Sequence, residues 1–265
     1  MKLSDRIKEH YEKRTQTFLN RRMITIIRLD GKSFSKYTKS LNKPFDDGFS
    51  NDMDMTAVYL CENIQGAKIA YTQSDEITVV LTDFDNIDSQ AWFDYNVQKM
   101  TSISASMASA RFNQLRLLRK CNEMDTEDKF QVLEEVDINR HKLAMFDSRV
   151  FQVPTIDEMV NVLIWRQQDC SRNSISMAAD AYYSHSVLEG KSGSDKQDLL
   201  MEEGVNWNDY LPKYKRGSVI KKQKVLVDGQ NGPVERNRWV IDENTPIFTQ
   251  DKDYLIDLLG INKIN

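Results

Sequence analysis

The chain has only three cysteines in 265 residues, Cys61, Cys121 and Cys170. Odd in number and far apart, they suit a reducing compartment, offer no zinc-ligand spacing and read as buried thiols. Long apolar runs are missing as well. Nothing approaches the roughly 20 residues that cross a bilayer, so no membrane role is expected. The first residues mix Lys and Arg with Asp5, Glu9 and Glu12. A signal peptide needs an apolar core there and a transit peptide is poor in acids, so the expected location is cytoplasmic. Positive charge is short: the formal net charge is -4. That excludes a general nucleic-acid coat, because phosphate contacts need clustered Lys and Arg. Any RNA contact must be local. The best candidate patch is Lys213, Lys215, Arg216, Lys221, Lys222 and Lys224, which charge alone reads equally well as a solvated surface. There is no phosphate-binding G-x-x-x-x-G-K-[ST] loop, no G-x-S-x-G elbow, no H-E-x-x-H pair and no internal repeat.

What is present is a soluble, globular composition, 40% hydrophobic and 29% charged, long enough for a sizeable core. One catalytic unit over 1–265 is expected, with a core over about 1–153 and a long helix with a C-terminal extension over about 154–265. A helical pattern covers about 4–20. Residues 23–29 form a β-branched apolar run that ends at a turn, Asp30-Gly31. Phe49, Met53, Ala57, Leu60 and Ile64 repeat at helical spacing over 46–64. Strands are expected over 67–72 and 77–82, flanking the polar hairpin Gln73-Ser74-Asp75-Glu76. Helical composition returns over 89–113, with Trp92, Val97, Met100 and Ile103 as core contacts. The acidic stretch near 119–142 reads as an exposed insertion. A strand over 143–153 precedes Pro154, and the helix from Thr155 to about Ser184 opens with a Thr155/Glu158 capping box. Residues 190–195 read as a flexible polar loop, and the tail as turns and short strands. The order strand, helix, strand, strand, helix, strand is the split βαβ, or ferredoxin-like, arrangement: an α+β fold with helices on one face of an antiparallel sheet.

In such a sheet the first strand lies beside the third, so Asp30 and Asp75 converge at one edge. Mg²⁺ takes carboxylate oxygen together with substrate phosphate, and two ions can clamp an in-line phosphoryl displacement. Gly31, lacking a side chain, would let its carbonyl approach a metal. Taken singly, Asp-Gly and Ser-Asp-Glu are ordinary turn sequences.

Arg28-Leu29-Asp30-Gly31-Lys32-Ser33-Phe34, Lys43-Pro44, Ala70-Tyr71-Thr72-Gln73-Ser74-Asp75-Glu76, Phe146-Asp147-Ser148-Arg149-Val150 and Trp165-Arg166-Gln167-Gln168-Asp169 occur in this order, followed by Asp195-Lys196, Asn206-Trp207-Asn208 and Lys215-Arg216-Gly217. This series resembles the tRNA-histidine guanylyltransferase superfamily over most of the chain. The resemblance implies a polymerase-palm-like catalytic domain, two Mg²⁺ ions, ATP, GTP or other nucleoside triphosphates as substrates, and growth of an RNA 5′ end. Asp30, the Gly31 carbonyl and Asp75 would hold the metals, with Glu76 assisting. Lys32, Ser33, Phe34, Lys43, Ser74, Arg149, Lys196 and Asn206 would contact nucleotide, and Asn173, Lys215 and Arg216 tRNA. A homotetramer built from dimers is likewise implied.

One departure bears on the substrate. Where guanosine-adding relatives carry a His-Ile-Asn motif, this chain reads Ser171-Arg172-Asn173-Ser174 and keeps only the Asn. It resembles the bacterial guanylyltransferase-like branch, which repairs truncated tRNA 5′ ends by templated 3′-to-5′ addition. Guanosine addition to histidine tRNA, a nucleotidyl cyclase and a non-catalytic RNA-binding protein are the alternatives.

Overall fold

The structure is a computed structural model that describes residues 1–123, 142–229 and 232–260. Most of the acidic stretch near 119–142 lies outside the described residues. Six antiparallel strands form one sheet in the order β4-β1-β3-β2-β5-β6. They are β1 (Ile24–Gly31), β2 (Ala67–Gln73), β3 (Glu76–Leu81), β4 (Phe146–Val153), β5 (Ser218–Gly229) and β6 (Gly232–Asp242). The first four have the expected ferredoxin-like order, and the last two extend the sheet as a long ribbon. β1 does not end before Asp30. It runs on through Gly31 because β3 and β4 pair with it on both sides, Asp30 standing opposite Glu76 and Asp147.

Strand alternation sorts the sheet's side chains onto two faces. Ile27, Leu29, Ile77 and Val79 meet α1 (Asp47–Asn63) and α2 (Val97–Glu123). Asp46 caps α1, its carboxylate accepting from Phe49 N–H at 2.7 Å. In α2 the buried stripe is Met100, Ser104, Ala108 and Phe112, spaced by four. Ile103, expected in the core, is 40% exposed, because the small residues of the stripe form the face turned to the sheet.

The opposite face is covered too, contrary to the one-sided layout expected. Ile24, Ile26, Ile69, Tyr71 and Val80 pack on Met159, Val160 and Leu163 of α3 (Ile156–Asp180). Thr155 caps α3 through Glu158 N–H at 3.2 Å. The C-terminal half of α3 then packs Ala178 and Ala179 against Leu188 and Leu200. Leu200 belongs to α4 (Gly193–Glu202), whose start absorbs part of the stretch read as a loop. A Ser192/Asp195 capping box, with both reciprocal bonds made, turns those polar residues into a helix start. The amino-terminal segment is helical only from Leu3 to Thr15, in α, π and 3-10 turns.

Candidate active site

Asp30 and Asp75 are held at one sheet edge by the backbone. The β2–β3 hairpin turns over Ser74 and Asp75, with Ser74 in the left-handed region at φ +48°. Gly31 N–H then donates to the Asp75 carbonyl at 3.1 Å, so the two acidic positions are tied one residue apart across β1 and the turn. Alternation places Asp30, Asp147, Arg149 and Glu76 on the face covered by α3. Arg149 Nη2 lies 3.4 Å from Asp147 Oδ1 and 4.0 Å from Asp30 Oδ2. Asp147 is a neighbour that the sequence motif contained without marking. Burial pushes the Asp75 carboxyl up to about 6, and the charges of Asp30 and Glu76 add to the rise against hydrogen bonds from its own backbone and from Ser74.

Glu76 has a fixed partner. Arg166 of α3 donates to its carboxylate at 2.7 Å, with both side chains under a tenth exposed. Burial raises the Glu76 carboxyl, and Arg166 opposes the rise. The Arg166 guanidinium also lies 3.6 Å from the ring centroid of Trp165, while Arg28 stands 5.3 Å from the same ring. The half-exposed Trp165 indole therefore braces two cations.

The remaining candidates separate. Lys32, Ser33 and Lys43 are exposed, and Lys32 N–H donates to the Met145 carbonyl at 2.8 Å. The Phe34 side chain is 4% exposed and sits among Tyr37, Phe49, Phe112 and Phe146, which leaves its main-chain N–H as the group that could meet a nucleotide. Phe34 also gives Gly31 a second meaning, since a Cβ built on Gly31 would stand 2.6 Å from Phe34 Cγ. Gly31→Ala is therefore expected to cost about 1–3 kcal/mol by overpacking, read as a lower denaturant midpoint at unchanged slope.

Lys196 and Asn206 have local partners. Lys196 donates to Ser176 on α3 at 2.9 Å, and the Asn206 side chain accepts from Asn208 N–H at 3.0 Å as a local turn cap. Asn173 borders the same pocket as Ser74. Within the basic run, three of the six cations are paired with acids. Lys213 meets Glu243 at 3.2 Å, Lys221 meets Asp242, and Lys224 meets Glu235 at 3.2 Å. Lys222 lies over Trp239. Lys215 and Arg216 instead border a cleft with Arg172, Trp207 and Asn208, Lys215 standing 5.8 Å from the Trp207 ring centroid.

A buried acid absent from the sequence reading stands on α1. Asp54 is 2% exposed and accepts hydroxyl bonds from Thr72 and, at 3.2 Å, from Ser218. Burial raises its carboxyl to about 6, against those two hydroxyl bonds. The folded state thus holds the proton more tightly than the unfolded chain. The stabilising contribution is full below about pH 4 and is lost as pH rises through about 6. Asp54→Asn should flatten that window and raise stability at pH 7.5 by about 2–3 kcal/mol, measured by urea unfolding at several pH values.

A sheet of this order with acidic groups gathered at its β1–β3 edge is the architecture of a palm-like nucleotidyltransferase. The comparisons with known proteins agree. The model of the family described as tRNAHis guanylyltransferase (Thg1) matches residues 4–154. The fold is similar to a bacterial tRNA(His) guanylyltransferase (Thg1)-like protein in complex with ATP, with TM-score 0.80 and 38% identity over 98% of this chain and 100% of that one. A bacterial Thg1-like protein in complex with GTP gives TM-score 0.77 and 38% identity over 98% and 99%. The tRNA(His) guanylyltransferase of Debaryomyces hansenii is 26% identical over 259 residues, covering 88% of this chain and 91% of the relative. The chain belongs to the tRNAHis guanylyltransferase family and is a nucleotidyltransferase. Among the described residues no helix is long and apolar enough to cross a membrane.

Proposed function

We propose that this chain rebuilds truncated tRNA 5′ ends by template-dependent 3′-to-5′ addition of nucleotides, as a single catalytic unit. The observation that carries the chemistry is the Gly31–Asp75 backbone bond, which keeps Asp30 and Asp75 together at one edge. Among the described residues no group of three or more His, Cys, Asp or Glu side chains is arranged to hold a metal by itself. Mg²⁺ fits this edge nonetheless, since it is held by one or two carboxylates together with substrate phosphates. The mutual repulsion of Asp30, Asp75 and Glu76 is also what a cation relieves. Asp30, the Gly31 carbonyl and Asp75 would hold two ions, which supply charge neutralisation for attacking and departing oxygens.

The chain's own groups account for orientation. Arg149 stands beside Asp30 as a planar donor suited to phosphate oxygens. The Ser74 hydroxyl sits on the strained turn, Lys43 is exposed nearby in sequence to the Asp46 cap, and Arg166 holds Glu76 still. The chemistry assigned to this site runs as follows. A 5′-monophosphate attacks the α-phosphate of ATP and releases pyrophosphate. The 3′-hydroxyl of an incoming nucleoside triphosphate then attacks the adenylylated end and releases AMP. A 5′-triphosphorylated end skips the first step. Repair is preferred to histidine-tRNA maturation because Ser171-Arg172-Asn173-Ser174 lacks the histidine of the guanosine-adding motif. The names of the eukaryotic relatives support the second reading, guanosine addition to tRNA(His). Arg172, Lys215, Arg216 and Trp207 form the RNA-facing cleft in this proposal. A cytoplasmic homotetramer completes it.

The test is extension of 5′-truncated tRNAs and of tRNA(His) with ATP, GTP and all four triphosphates. Templated addition to several truncated tRNAs is expected. Addition of one guanosine to tRNA(His) alone would favour the second reading, and a cyclic nucleotide formed without RNA would overturn both.

A further inference from the structure

Arg28 stands at the acidic edge without an acid of its own. It lies on β1 two residues before Asp30, on the same face of the sheet, and directly opposite Arg149 of β4. Like charges set opposite one another on paired strands repel. Arg149 finds relief in Asp147 at 3.4 Å and Asp30 at 4.0 Å. Among the described residues Arg28 makes no ion pair, and its buried Nε has no hydrogen-bond partner. A buried donor left without an acceptor is uncommon in a folded protein and calls for an explanation. The Arg28 guanidinium lies instead against the indole of Trp165, 5.3 Å from the ring centroid. Burial does not explain that indole: Trp165 is 46% exposed and joins none of the three apolar clusters among the described residues. Its ring is anchored by the Arg166 guanidinium at 3.6 Å, which Glu76 in turn holds at 2.7 Å. The contacts therefore run from Glu76 through Arg166 and Trp165 to Arg28, and return to the β1–β3 edge from which they start.

We propose that Trp165 is a positioning residue: its ring holds the Arg28 guanidinium in place for the triphosphate of an incoming nucleotide. The inference rests on the nucleotidyl-transfer reading of this edge, which brings phosphates to it. A triphosphate supplies what Arg28 lacks, namely negative oxygens that accept from a planar donor and relieve its repulsion with Arg149. A free arginine side chain loses rotamer freedom when it binds an anion, and that loss weakens binding. An aromatic ring takes up the loss beforehand, because a guanidinium stacks on it and is attracted by its face. Trp165 thus acts through Arg28 and touches no reacting atom itself.

The test is calorimetric titration of the full chain with inorganic tripolyphosphate in magnesium buffer, which isolates the phosphates from base and RNA. Trp165→Leu should weaken binding about tenfold, equivalent to about 1.4 kcal/mol and within the reach of a cation–π contact. Trp165→Phe, which keeps an aromatic face, should stay within about threefold of the wild type. In an Arg28→Met background, Trp165→Leu should add less than about twofold, because the residue it acts through is gone. A fluorinated tryptophan thins the charge on the ring face with little change of shape, and its incorporation should weaken binding by about twofold. Trp92, Trp207 and Trp239 are replaced with it, and an Arg28→Met chain carrying the same analogue corrects for them. Should Trp165→Leu not fold, Trp165→Phe and the fluorinated chains carry the test. Wild-type affinity in folded Trp165→Leu or Arg28→Met overturns the proposal. So do losses that multiply in the double variant, and so does a fluorinated chain that binds as tightly as the ordinary one. Tripolyphosphate binding needs no tRNA, so failure here and failure of the extension assay are distinguishable.

Discussion

Asp30→Asn and Asp75→Asn should each lower nucleotide addition to a truncated tRNA by at least about a thousandfold, equivalent to about 4 kcal/mol of lost transition-state stabilisation. Stability should not follow activity. Asp75 is held against the preference of its own charge, its carboxyl pushed up to about 6, so the neutral amide should leave the melting temperature unchanged or higher. Asp30 is half-exposed, with Arg149 4.0 Å away as its recorded ionic neighbour, and its loss should move the melting temperature by little. Incorporation of labelled triphosphate, set beside thermal melts of the same samples, separates loss of a metal ligand from loss of fold. Folded variants that turn over normally would remove the metal assignment.

Arg166→Met should have the largest effect on stability. It strands the Glu76 carboxylate, whose side chain is 8% exposed, without the guanidinium that sits 2.7 Å away. Breaking one side of a buried pair costs about 3–5 kcal/mol, roughly 10 °C in melting temperature for a chain of this size. The deficit should shrink as pH falls, because Glu76 can then take a proton in place of its partner. The double variant Arg166→Met, Glu76→Leu should recover most of the loss, since well-packed apolar groups replace buried ion pairs at little cost. A double variant as unstable as the single one would show that Arg166 acts by packing on Trp165, from whose centroid it lies 3.6 Å.

Periodicity made much of the fold legible. The β-branched run of β1, the spacing-four apolar residues of α1 and the Thr155 cap of α3 are local signals, and each appears where expected. Pairings across the fold were not legible. Glu76 and Arg166 are 90 residues apart, and nothing in either neighbourhood names the other. The motif around Asp30 gave the acidic edge but not the burial of the Phe34 ring, because an aromatic residue close to a glycine reads the same whether it meets a base or four other rings. The tail reads as turns and short strands, and the length of the β5–β6 ribbon is not legible because both its faces are largely exposed beyond the sheet, so no apolar alternation marks it. Asp54 carries no sequence signal of its own; only its burial between Thr72 and Ser218 sets it apart.

The two-sided sheet has a consequence for biosynthesis. β1, β2 and β3 are complete once residue 81 has been made, and the α1 that covers one of their faces is made by residue 63. The other face, with Ile24, Ile26, Ile69, Tyr71 and Val80, waits for Met159, Val160 and Leu163 of α3. At roughly 5–20 residues per second, the ribosome leaves that greasy surface uncovered for some 4–16 seconds. A nascent chain stalled between those points should be a client of holding chaperones, and one released after α3 should not.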